Sequence, residues 1–143
     1  RKFMSRKLAR ELTFKVIFST NFQSEVEDIE NLIENLVNDN ELNEEVTSED
    51  RKYIEEISFG VLKNKEELDE QIEKYLKGWT MDRIGKTDLA ILRLAVYEIL
   101  YRDDIPYKVS INEAVELAKL FCDESSPAFI NGVLAGIVNS LSK

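Results

Sequence analysis

Thr87-Asp-Leu-Ala-Ile-Leu-Arg-Leu-Ala-Val-Tyr-Glu-Ile-Leu-Tyr101 is the stretch that decides the fold. At 100° per residue, Leu89, Ile91, Leu92, Leu94, Ala95, Val96, Ile99 and Leu100 surround a helix on nearly every side. A helix that is apolar all round belongs at the centre of a fold. Arg93 and Glu98 lie inside this wrap. Burial of either charge requires a partner, so internal ion pairing is expected for both.

Outward from this segment the pattern stays helical. A first helix runs from about Ser5, as N-cap, to Phe22, with Arg6, Lys7 and Arg10 on one side of its first turns and Leu8 and Leu12 opposite. From Leu12 onward Phe14, Val16, Ile17 and Phe18 wrap most of its circumference, which suits central burial, partner docking or a homodimer. Ile29, Leu32, Ile33, Leu36 and Val37 mark a second helix, followed by a polar linker from about Asn38 to Val46. Ser48 is placed to cap a helix carrying Tyr53, Ile54, Ile57, Val61 and Leu62. Leu68, Ile72, Tyr75 and Leu76 mark another that ends at Gly78, and a loop follows to Gly85. Pro106 closes the central segment, and Ser110-Ile111-Asn112-Glu113 has the pattern of a capping box. Ser126-Pro127 opens a last helix to about Leu141, serine as N-cap and proline at the first helical position. The fold class is therefore all-α: a compact bundle of about seven helices in two halves, about 1–77 and about 78–143.

Composition agrees with this and narrows the chemistry. In 143 residues there are five glycines and two prolines, too few for a chain of tight β turns. No histidine is present, which removes histidine general bases, histidine triads and histidine metal sites. One cysteine, Cys122, excludes an intrachain disulfide and fits a reducing cytoplasm. No apolar run reaches the ~18 residues of a membrane span, because Asn131 and Asn139 interrupt the longest one. The net charge of −9 is unevenly spread. Arg1, Lys2, Arg6, Lys7, Arg10 and Lys15 face only Glu11 in residues 1–16, whereas residues 17–50 hold no Lys or Arg. An acidic body repels nucleic acid on average, so a polyanion must be met by a local basic patch. The chain's beginning is the dense one.

Several catalytic patterns fail. Gly85-Lys86-Thr87 has the tail of a phosphate loop, but Thr80 stands where that loop needs glycine. Ser125, Ser126 and Cys122 have no histidine to activate them, and Glu66, Glu67, Asp69, Glu70 and Glu73 read as a solvated helix face. Gly132 and Gly136, four apart on a short helix, indicate close helix packing. No enzyme is expected, and no cofactor or metal. The remaining clue is aromatic: single-stranded RNA is held by phosphate contacts and by rings that stack on bases. Phe129 lies at the margin of its helix's apolar face, and Phe121 lies at a helix end on the core side. By periodicity alone both suit the core.

Ile105-Pro-Tyr-Lys-Val-Ser-Ile-Asn-Glu-Ala-Val-Glu-Leu-Ala-Lys119 resembles a signature of the NusB family of bacterial transcription antitermination factors, as does Ser126-Pro-Ala-Phe-Ile-Asn-Gly-Val-Leu134. Ile91-Leu-Arg-Leu-Ala-Val-Tyr-Glu-Ile99 and Ala9-Arg-Glu11 fall in the same order as in that family. The resemblance spans essentially the whole chain and implies two helical subdomains. It also implies binding of single-stranded boxA-type RNA from ribosomal leader transcripts, together with a small-subunit ribosomal protein (NusE). The RNA polymerase elongation complex would be reached indirectly.

Carried onto this sequence, the resemblance assigns RNA contacts to Arg6, Lys7, Arg10, Phe121 and Phe129, and ribosomal-protein contacts to Phe18 and Asp88. Three positions depart from the family pattern. Phe18 replaces a frequent tyrosine, Ser125 replaces an acidic residue, and Cys122 replaces a glycine. About three phosphate contacts imply a slope of log K against log salt near −2. A protein-only adaptor of the same fold is the rival expectation. The chain is too short to carry the catalytic domain that follows NusB-like domains in some ribosomal RNA methyltransferases.

Overall fold

The computed structural model describes residues 2–21, 26–38 and 46–141, with side chains for 7–21, 28–38 and 46–141. Among the described residues seven α-helices follow one another: α1 (Lys2–Ser19), α2 (Val26–Asn38), α3 (Ser48–Lys63), α4 (Lys65–Glu73), α5 (Lys86–Tyr101), α6 (Tyr107–Phe121) and α7 (Ser126–Leu141). A 3₁₀ turn, Met81–Arg83, precedes α5. No strand occurs among the described residues, so the expected all-α class holds. None of the described helices is long and apolar enough to cross a membrane. The expected end of α1 at Phe22 and most of the linker after Asn38 lie outside the described residues.

Two compact units divide the chain at Leu62–Lys63, upstream of the boundary near residue 77 drawn from sequence. The reason is α4, which the sequence reading gave to the first half. It packs on α5 and α7, and its Asp69 accepts two hydrogen bonds from Arg93 of α5, Nε–Oδ1 and Nη2–Oδ2 both 2.8 Å.

In the first unit α1 and α2 pack together. α3 is tied to both neighbours: the Arg10 guanidinium of α1 stands 5.7 Å from the centroid of the Tyr53 ring, and Arg51 pairs with Glu34 of α2. Ser48 does not cap α3. The preceding Thr47 does, its Oγ1 accepting from the Asp50 N–H at 3.0 Å. The buried Thr13 of α1 donates to the Ala9 carbonyl at 2.7 Å, so its hydroxyl is satisfied within its own helix.

In the second unit α5 packs against α4, α6 and α7. Every residue from Ala90 to Ile99 is buried, as its all-round apolar pattern predicted. Arg93 has its ion-pair partner in Asp69. The buried Glu98 carboxylate accepts from the Ser110 hydroxyl at 2.7 Å.

That bond also explains why the capping-box expectation fails. α6 begins at Tyr107, with Pro106 as N-cap and Ser110 inside the helix. Ser110 serves the buried carboxylate rather than the helix end. Ser126 is likewise already helical, and the Phe129 N–H reaches the Ser125 carbonyl at 3.3 Å, one residue earlier than expected.

Candidate nucleic-acid interface

The residues singled out from sequence fall into three groups. On α1, Lys7 is exposed, Glu11 and Lys15 are half-buried and 3.4 Å apart, and Phe18 is half-buried. Their spacing puts them along one stripe, the part of the helix not enclosed after Leu8. Phe18 holds its ring centroid 6.3 Å from that of Phe14. Arg10 departs from expectation. It is 2% exposed and lies over Tyr53, so it is part of the first unit's interior, not a solvent-facing phosphate ligand. The cause is its position between Ala9 and Leu12, both buried, on a helix enclosed around most of its circumference. The Arg6 side chain lies outside the described residues.

The second group is built where α5 and α7 begin. Ser126 donates its hydroxyl to the Asp88 carboxylate, 3.0 and 2.9 Å from Oδ1 and Oδ2. The Cys122 thiol also hydrogen-bonds Asp88. Burial, and after it that hydrogen bond and the negative charge of Asp88, push the thiol up to about 12. Cys122 therefore stays protonated and unreactive at neutral pH, as expected from the absence of a base. Asp88 and Phe129 line one cavity of about 370 Å³ together with Trp79, Arg83 and Ser126. The structure thus brings a residue expected to meet a protein partner and a ring expected to meet RNA to a single concavity.

Phe121, the third element, is 37% exposed at the end of α6, beside the still more exposed Leu120. It does not line the cavity that holds Phe129.

Sequence reading placed a loop between α4 and α5 but did not single out Trp79 within it. Leu76 is buried and anchors it. Gly78 then turns the chain with φ +77°, and the Trp79 N–H reaches back to the Leu76 carbonyl at 3.4 Å. A positive φ at the third position of such a four-residue turn is one that glycine adopts without strain. The turn projects Trp79 outward, 54% exposed. Trp79 and Phe129 also line a second, larger groove of about 550 Å³, with Tyr75 and Lys77 on the loop side and Gly132 and Gly136 on α7. A Cβ at Gly136 would stand 2.6 Å from Cδ1 of Tyr75, whereas one at Gly132 would meet nothing within 4 Å. Gly136 is thus the close-packing glycine expected from sequence. Gly132 instead leaves the groove open. The signal for Trp79 was a lone indole inside a glycine-bounded loop, where helical periodicity says nothing about which way a side chain points.

Chemically, the second unit suits an anionic, ring-bearing polymer: its exposed rings offer stacking faces and Lys77 offers a cation. In the first unit Lys7 is an exposed cation. No group of described residues has the composition of a metal site.

Known proteins agree with the geometry. Residues 7–139 match the model of the NusB family. The transcription antitermination protein NusB of Acetivibrio thermocellus is 49% identical over 135 residues, spanning 94% of this chain and 89% of that protein. The protein of the same name from Bacillus pumilus is 54% identical over 91 residues, 64% of this chain and 70% of its own length. Among solved structures, T. maritima NusB superposes with a TM-score of 0.81 at 33% identity, covering 94% of this chain and 90% of that one. A crystal structure of antitermination factors NusB and NusE in complex with dsRNA gives 0.81 at 27% identity, covering 96% and 98%. With the helical order, the Asp88–Phe129 concavity and a family match over nearly its whole length, the chain belongs to the NusB family.

Proposed function

We propose that this chain is a cytoplasmic transcription antitermination factor that binds boxA-type ribosomal leader RNA jointly with the small-subunit ribosomal protein NusE, and so keeps the RNA polymerase elongation complex processive. The observation that carries this reading is the concavity shared by Asp88 and Phe129. A family member with a ring and an oriented carboxylate on one surface has a place for RNA and a place for protein side by side. The relatives' shared name and the solved assembly of NusB, NusE and dsRNA support it.

In this mechanism Arg6 and Lys7 neutralise phosphates, and Phe121 and Phe129 receive unstacked bases. Asp88, held by the Ser126 hydroxyl, presents a fixed acceptor to a cation or N–H of the ribosomal protein, and Phe18 adds an apolar contact. Few phosphate contacts on a body of net charge −9 give weak RNA affinity alone. The ribosomal protein supplies the missing contacts. A gel shift of a boxA-containing RNA with this chain, with and without the ribosomal protein, tests the reading. A shift that requires both proteins is expected. Capture of the ribosomal protein with no RNA in the complex would leave only a protein adaptor.

A further inference from the structure

We propose that the groove between Trp79 and α7 is a nucleotide subsite in which an unpaired RNA base stacks on the Trp79 indole while Lys77 meets its phosphate. This rests on the RNA-binding function proposed above and adds a subsite to it. Trp79 is the only tryptophan in the chain, and its ring is half out in solvent. It is not a frayed residue. The Gly78 turn fixes it on one side, and the Met81–Arg83 turn follows on the other, with Thr80 donating to the Asp82 carboxylate. An aromatic ring held in water at the edge of a groove is a stacking platform awaiting a partner.

Charge selects the occupant. The protein carries nine more negative than positive charges, yet the walls of the larger groove contain Lys77 and no carboxylate. The neighbouring cavity sets Asp88 and Asp123 against Arg83, which disfavours a phosphate. A nucleotide therefore belongs on the Lys77 side of Trp79, and the protein partner on the Asp88 side, with Phe129 common to both.

Shape agrees. The volume of about 550 Å³ falls within the roughly 300–1,000 Å³ of small-ligand sites. Gly132 leaves room for a flat ring to slide between the indole and α7. Asn139 at the groove's far end carries both donor and acceptor for a base edge.

Because Trp79 is the only indole, its emission reports this groove directly. Leader RNA is titrated into the full chain bound to the ribosomal protein. Anisotropy of the labelled RNA measures binding, and emission is read as the difference from the same titration with Trp79→Phe. Quenching that saturates with the anisotropy is expected. Trp79→Ala should weaken RNA binding about five- to hundredfold, and Trp79→Phe, which keeps a ring, far less. Lys77→Ala should flatten the slope of log K against log salt by about 0.7. RNA binding with unchanged Trp79 emission and an unaffected Trp79→Ala variant would overturn the subsite and leave the wider function standing. Quenching by the ribosomal protein without RNA would give the groove to protein and also overturn the subsite. Failure of RNA to bind at all would overturn the function itself.

Discussion

Replacing Gly136 and Gly132 by alanine, one at a time, should move stability in opposite directions. Both glycines lie within α7, where alanine is favoured over glycine by about 1 kcal/mol through reduced backbone freedom in the unfolded chain. At Gly132 nothing opposes that gain, since the new methyl meets no atom within 4 Å. At Gly136 it would stand 2.6, 3.1 and 3.2 Å from three carbons of the Tyr75 ring, and the first of these separations must open by about 1 Å. Overpacking of this kind costs about 1–3 kcal/mol. It outweighs the helix gain at all but its lower limit. The two variants should therefore differ by about 1–3 kcal/mol, or roughly 3–10 °C in Tm for a chain of this length. Thermal melts followed by circular dichroism at 222 nm measure the difference, read on the transition of the unit that contains α7. Equal melting temperatures would refute the packing of Tyr75 against Gly136, and with it the shape of the groove wall.

Further outcomes follow from the placement of single side chains. Lys7→Ala, at an exposed position, should change the melting temperature little and flatten the salt dependence of RNA binding by about 0.7 in slope. Arg10→Ala should do the reverse, lowering stability by about 1–2 kcal/mol as the contact with Tyr53 is lost; a flattened slope without destabilisation would restore Arg10 as a phosphate ligand. Asp69→Ala strands the buried Arg93 without its bidentate partner and should cost about 3–5 kcal/mol in chemical denaturation, whereas Glu34→Ala, at a solvent-exposed pair with Arg51, should cost far less. The folded thiol of Cys122 holds its proton more tightly than the unfolded one, with a value near 12 against 9.0. Its contribution to stability is whole below pH 9 and is lost as pH climbs toward 12. Iodoacetamide at pH 8.5 should label it far more slowly than the unfolded chain, and rapid labelling would contradict the burial of the thiol and its bond to Asp88.

Periodicity carried the fold because α5 is apolar on all sides and its neighbours each on one. It located helices well and their first turns less well. Ser110 and Ser126 have the composition of caps, but a hydroxyl satisfies a buried carboxylate as readily as a helix N-terminus, and only the tertiary partners Glu98 and Asp88 decide between the two. The position of α4 was illegible for a related reason. Its exposed acids read as a solvated face, and nothing in their spacing reveals that Asp69 reaches Arg93, 24 residues away. Arg10 shows the same limit on function: a cation near the chain's beginning looks like a phosphate ligand until its burial over Tyr53 is seen. Asp88 and Phe129 came from family resemblance, which carries information that periodicity lacks. Trp79 came from neither, because a turn rather than a helix sets its direction.

Joint recognition of RNA and ribosomal protein is tested most directly by closing a binding cycle. RNA affinity is measured by anisotropy with and without saturating ribosomal protein, and ribosomal-protein affinity with and without saturating boxA RNA. Each ligand should tighten the other by the same factor, about 5–150-fold for a coupling of ordinary size, and a scrambled RNA should show none of it. Independent binding of the two, or equal coupling with the scrambled sequence, would contradict the account.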